Sequence, residues 1–132
     1  MRHILKLIST LFISILNLTS CLPIGKGSDI VIKESSNKPL NKKAILFLHE
    51  EGATVGDSYQ VTVMDYNEKF DTTEVGNTFT VDTDHGQTRL DSTSINFVWL
   101  ANDTLQIDFD KKLRTFIQEK KVQGVTIVYH QR

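Results

Sequence analysis

Asp82-Thr83-Asp84-His85-Gly86 is the densest run of metal-ligating and proton-carrying side chains in the chain. Aspartate and histidine together can hold a metal ion or pass a proton. A calcium loop of the EF-hand kind requires D-x-[DN]-x-[DN]-G with a glutamate at position twelve. Counted from Asp82, position five is Gly86 and position twelve is Thr93, so that pattern fails. The same five residues suit a turn between strands, where Asp, His and Gly are all at home. An enzyme or metal-binding domain built on Asp82, Asp84 and His85 is the alternative, and it requires His49 or His130 to converge on them.

The other polar clusters are weaker. His49-Glu50-Glu51 lacks the second histidine of the H-E-x-x-H zinc helix and reads as the solvated end of a strand. Ser92-Thr93-Ser94 stands outside any G-x-S-x-G context, and no glycine loop that cradles phosphate occurs. Trp99 and Phe97 alternate with Ile95, which marks them as core rather than as a binding groove. Tyr59, Tyr66 and Tyr129 are the aromatic candidates for exposed faces. No catalytic residue, metal ligand or cofactor is assigned, and the expectation is a protein that is not an enzyme.

Those clusters need elements to position them, and the alternation of apolar and polar residues supplies strands. Leu105-Gln106-Ile107-Asp108-Phe109 is the cleanest case; Thr78–Val81 and Tyr59–Val63 repeat it. Ala44–Leu48 is apolar on both faces, as a central strand would be, and Ile95–Leu100 nearly so. Val125–Tyr129 closes the set, and Asn102-Asp103 suits a hairpin turn. Short strands separated by turn signals predict a mainly β fold, a small antiparallel β-sandwich or partly open barrel. Asp110–Gly124 is ambiguous. Leu113, Phe116 and Ile117 fit one face of a short helix near 111–121, but Lys111 and Lys112 would oppose its dipole. A bent extended arm is the preferred alternative.

The chain has 132 residues, near-balanced charge and a single cysteine, Cys21. One cysteine excludes an internal disulfide and a multi-cysteine metal site. Two of the 15 basic residues, Arg2 and Lys6, precede Cys21 and none of the 16 acidic ones does, so the formal net charge of −1 becomes −3 from Cys21 onward. That balance is no nucleic-acid footprint, which needs a clustered basic face. Met1–Lys6 is basic, Leu7–Leu18 is mostly apolar, and Thr19-Ser20-Cys21 is a small-residue junction. This order describes a secretory signal peptide, and the apolar run is short for a transmembrane helix, which needs about 20 residues. A free catalytic thiol at Cys21 would have no scaffold to hold a base beside it.

Leu18-Thr19-Ser20-Cys21 resembles a bacterial lipobox, the signature of lipoprotein precursors. The resemblance covers the first 21 residues and implies a diacylglycerol on the Cys21 thiol, cleavage before Cys21 and acylation of the new N-terminus. Two or more chains hold a protein stably on a bilayer, at about 0.8 kcal/mol per buried methylene. Leu22 follows the cysteine where an aspartate would imply inner-membrane retention, which favours the periplasmic face of the outer membrane. The stretch from Ser92 to Tyr129 loosely resembles small bacterial lipoproteins with no assigned activity. The lipobox also argues against reading Asn102-Asp103-Thr104 as a glycosylation acceptor.

The expected organisation is a signal peptide over 1–20, a lipidated N-terminus and flexible tether over 21–42, and a β domain over 43–132. Ile30-Val31-Ile32 is an edge strand or a sticky patch in that tether. About 20 flexible residues would give the domain a reach of about 25 Å. The expected function is a lipid-anchored envelope protein acting as an interaction module, partnered by the membrane through its anchor and by an envelope protein or component. Acidity and address also fit an envelope immunity protein that neutralises a basic toxin.

Overall fold

In the computed structural model, the described residues are 28–51, 56–73, 75–100 and 102–132. The expected signal peptide and Cys21 lie outside them. Among the described residues nine strands follow one another: β1 (Ser28–Asn37), β2 (Lys42–Glu50), β3 (Ser58–Asp65), β4 (Phe79–Asp82), β5 (Ile95–Trp99), β6 (Thr104–Phe109), β7 (Arg114–Gln118), β8 (Lys121–Val122) and β9 (Val125–Gln131). They form two packed sheets, one ordered β1-β2-β3-β4-β7 and the other β5-β6-β9-β8. The larger sheet is antiparallel throughout, whereas β6 and β9 pair in parallel inside the smaller one. The expected mainly β sandwich is the fold observed, with that one parallel pair as its departure.

Alternation builds the core. Leu105, Ile107 and Phe109 of β6 face Val61, Val63, Phe79 and Val81 of the larger sheet, all fully buried or nearly so. Phe79 lies 4.8 Å from Phe109 and 5.3 Å from Tyr129, ring centre to ring centre, which ties β4 to β6 and β9. Each buried side chain of this size contributes about 1.5–3 kcal/mol. The two-faced apolarity of β2 has a specific cause. Ala44 and Leu46 face the sandwich, while Ile45 and Phe47 face outward into a second cluster with Met64 and Phe70.

Trp99 and Phe97 pack with the core, as expected. Tyr59 and Tyr129 do not lie on exposed faces. Tyr59 is buried because it shares its face of β3 with Val61 and Val63, and Tyr129 packs against the core with its hydroxyl bonded to the Glu119 carbonyl at 2.6 Å. Tyr66 is exposed.

The tether shrinks. Ser28–Asn37 is a ten-residue edge strand paired with β2, and Lys38–Leu40 is a 3-10 turn that ends on Asn41 in the left-handed region at φ 53°. The edge-strand reading of Ile30–Ile32 is the one observed, and the pattern misses the rest of β1 because its second half is polar. A bulge between Val31 and Lys33 shifts the register, and Lys33 then donates to the Phe97 carbonyl at 2.7 Å and the Asn96 side chain at 2.6 Å. Trp99 Nε1 donates to the Ser35 carbonyl at 3.1 Å, and Asn37 to the Asn102 carbonyl at 2.8 Å. Side-chain hydrogen bonds thus close the β1–β5 side of the sandwich where apolar contacts would be expected.

The preferred extended reading of 111–121 is the one observed, and the alternative short helix does not form. Arg114–Gln118 is β7, paired with β4. Asp110 accepts the Lys112 amide at 2.9 Å in a tight turn, and not as a helix cap. Leu113 is buried in the core while Phe116 is 56% exposed, so the supposed helical stripe divides between two sides of a sheet.

Candidate functional site

Register aligns five polar side chains across the larger sheet. Asp29 stands opposite His49, His49 opposite Ser58, Ser58 opposite Asp82, and Asp82 opposite Arg114. Residues in register share a face, and Phe47, Gln60 and Thr80 form the next row on that face. It is the outer face, turned away from the smaller sheet. With strands about 4.8 Å apart, the row spans about 19 Å.

Arg114 organises one end of it. Its Nε donates to Asp82 Oδ1 at 3.1 Å and its Nη2 to Asp82 Oδ2 at 2.5 Å, a two-pronged pair. Its Nη1 lies 2.8 Å from His85 Nε2 and 3.8 Å from Asp84 Oδ1. The Asp84 amide also donates to Asp82 at 2.8 Å. Burial pushes the Asp82 carboxyl up, but the Arg114 and Asp84 hydrogen bonds and the Arg114 charge outweigh it and hold it below the usual carboxylate range. The Asp82 bonds in turn raise the Arg114 guanidinium.

The run from Asp82 to Gly86 is a turn whose polar groups are already committed. Asp84, His85 and Gly86 are successively left-handed, at φ 49°, 58° and 80°, and Thr83 Oγ1 accepts the Gly86 amide at 3.0 Å. A guanidinium occupies both oxygens of Asp82, where a metal cation would have to compete with it. Among the described residues, no group of three or more His, Cys, Asp or Glu side chains is arranged to hold a metal.

The two other histidines among the described residues go separate ways. His49 joins Asp82 on the same row, two strands away. Its Nδ1 meets Asp29 Oδ1 and its Nε2 lies 3.3 Å from Glu51 Oε1. The second Asp29 oxygen is buried without a partner among the described residues, which costs about 1–3 kcal/mol. His130 lies on the smaller sheet, where Nδ1 is 3.2 Å from Asp108. Asp29, His49 and Ser58 have the residue types of a hydrolytic triad, but the chain of contacts stops at His49 and does not reach Ser58. Ser58 Oγ accepts from Gln60 at 2.9 Å, and the outer nitrogen of His49 faces Glu51. Ser92-Thr93-Ser94 is structural, with the Thr93 amide and hydroxyl bound by Asp91 at 2.7 and 2.6 Å.

Between the rows lies a groove of about 360 Å³. Glu51, Ser58, Gln60, Thr80, Asp82 and Arg114 supply its polar lining, and Val75 and Phe116 its apolar part. The Arg114 guanidinium lies 4.7 Å from the Phe116 ring centre, within cation–π range. Gly76 closes against Gln60, its amide donating to Oε1 at 2.6 Å. Thr80 Oγ1 is buried with no partner among the described residues.

Of this groove, the sequence motifs mark Asp82 and Glu51. Ser58, Gln60 and Thr80 are readable as the polar half of two alternating strands. Arg114 carries no local signal, because its partner is 32 residues away in the chain. Comparison with protein-family models, with curated proteins and with solved structures finds no match to this chain.

Proposed function

We propose that the protein is a lipid-anchored bacterial envelope lipoprotein, acylated at Cys21, whose β-sandwich binds an envelope protein or component through the outer face of its larger sheet. The observation that carries the binding role is the Asp82–Arg114–Phe116 assembly. A two-pronged ion pair and a largely exposed aromatic ring are held side by side on two paired strands beside a groove. Pre-positioned aromatic and arginine side chains are what dominates binding at interfaces. The Ser58 hydroxyl and the His49 imidazole, the pair a hydrolase would use, are each bonded to other neighbours, which favours binding over catalysis.

The anchor rests on Leu18-Thr19-Ser20-Cys21 and the basic and apolar segments before it. Cys21 stands seven residues before Ser28, so the chain between them reaches at most about 25 Å. The sandwich therefore works close to the bilayer. Two measurements test this reading. The intact mass of the N-terminal peptide from membrane-extracted protein should fit a chain starting at Cys21 with a diacylglycerol and an acyl chain. Crosslinking in intact envelopes should capture a partner that Phe116→Ser loses. An unmodified N-terminus removes the anchor, and equal capture by the variant removes the groove.

A further inference from the structure

A second concavity, of about 340 Å³, opens where the β4–β5 and β6–β7 connections meet the C-terminus. Arg89, Lys111, Lys112 and Arg132 line it, and Asp91 and Asp110 are the acidic side chains among its described lining residues, so the lining side chains carry a formal excess of two positive charges. Each carboxylate is bonded within its own loop through one oxygen, Oδ1. Asp91 accepts from Thr93 and Ser94, and Asp110 from the Lys112 amide. None of the four cations forms an ion pair with a described residue, whereas Lys42, Lys43 and Arg114 do.

The frame is fixed from three segments. Arg132 Nη2 donates to the Thr93 carbonyl at 2.6 Å, the Lys111 amide to the Arg132 carbonyl at 3.3 Å, and the Arg132 amide to the Phe109 carbonyl at 2.9 Å. Cations that outnumber the acidic side chains around a concavity and are not paired with them are suited to an anion with several acceptor oxygens. We propose that this concavity binds a phosphoryl group.

Its place in the fold favours a lipid headgroup as the source. The strand registers put the starts of β1, β3, β5 and β7 and the ends of β2, β4, β6 and β9 at one end of the sandwich. The concavity is at that end, and so is Ser28, from which the chain runs back to Cys21. Lys33 sits beside Asn96 and Phe97, so five residues back along β1 brings Ser28 to the height of the turn before β5 that lines the concavity. Only this choice of source rests on the Cys21 anchor; the phosphoryl site stands on the concavity itself.

The test uses isotope-labelled protein extracted from the envelope into non-ionic detergent micelles at low salt. It is titrated separately with inorganic phosphate and with soluble dihexanoyl-phosphatidylglycerol, reading the amide shifts of residues 91–94 and 110–113. Saturable shifts that weaken at least tenfold in Lys111→Glu/Lys112→Glu, and also in Arg89→Gln, but not in Lys120→Glu/Lys121→Glu, are the expected result. The last variant makes the same charge change at the opposite end of the sandwich. A response to the lipid alone identifies a headgroup site, and a response to phosphate identifies a site for free phosphorylated solutes. No saturation with either ligand, or equal weakening by the two double lysine variants, overturns the proposal. The N-terminal mass is read independently, so a phosphoryl response on an unmodified chain would keep the site and discard only the lipid source.

Discussion

Arg114 and Asp82 meet across the β4–β7 pair through two parallel N–H···O bonds, and that contact joins the edge strand of the larger sheet to a turn of three left-handed residues. One guanidinium therefore serves the fold and the groove together.

The pair makes stability depend on pH. The Asp82 carboxyl is held below its ordinary value of about 3.9 in the folded protein. A depressed carboxyl contributes stability that is present above the unfolded value and lost as pH falls through the folded one. Asp82→Asn is expected to cost about 1–2 kcal/mol at pH 7, between an exposed pair and a charge-assisted buried bond. In urea unfolding, its deficit against wild type should shrink steadily below about pH 4. A constant deficit down to about pH 2 would show that the pair stores no proton-linked stability.

Phe79 and Phe116 separate the two accounts of the 111–121 segment. Phe79 is fully buried against Phe109 and Tyr129, and Phe79→Ala should cost about 3–5 kcal/mol. Phe116 is largely exposed on β7, and Phe116→Ala should stay within about 0.5 kcal/mol. Chemical denaturation of both variants checks this. A large loss from Phe116→Ala would mean that the segment buries that ring.

Closure between β1 and β5 should be a local property. Trp99→Phe keeps most of the buried ring but leaves the Ser35 carbonyl without its donor, at a cost of about 1 kcal/mol. Hydrogen exchange should then accelerate in β1 while β6 and β9 stay protected. Uniform acceleration across all strands would show that β1 opens only with global unfolding.

Gly76 is a close-approach glycine. An added Cβ would lie 2.9 Å from the Gln60 Cβ and 3.0 Å from the Val61 carbonyl oxygen, so Gly76→Ala should cost about 1–3 kcal/mol by overpacking. A thermal melt measures it, and wild-type stability in that variant would mean that the loop moves aside freely.

Legibility in the sequence followed the apolar side chains. Strands β2, β3, β4, β5, β6 and β9 announce themselves because every second residue enters the core. Strand β1 shows in the sequence only at Ile30–Ile32, because beyond them Lys33 and the Ser35 carbonyl engage β5 through hydrogen bonds, which leave no hydropathy period. Strand β7 stays ambiguous because Leu113 and Ile117 are four apart, a spacing that serves a helix equally well. The groove was half readable, as polar positions on β3 and β4. Its charged end was not, since the Asp82–Arg114 contact depends on which strands become neighbours.

The direction of β1 also has a mechanical meaning. Ser28 lies at the end of the sandwich, and its strand runs from there along β2 through nine antiparallel register pairs. A force transmitted through Ser28 and directed away from that end acts along the strand axis, across hydrogen bonds that lie perpendicular to it. The ladder is loaded in shear, so its bonds share the load and do not break in succession. A domain held from that side resists being torn from its attachment by the same pairing that makes β1 belong to the sheet.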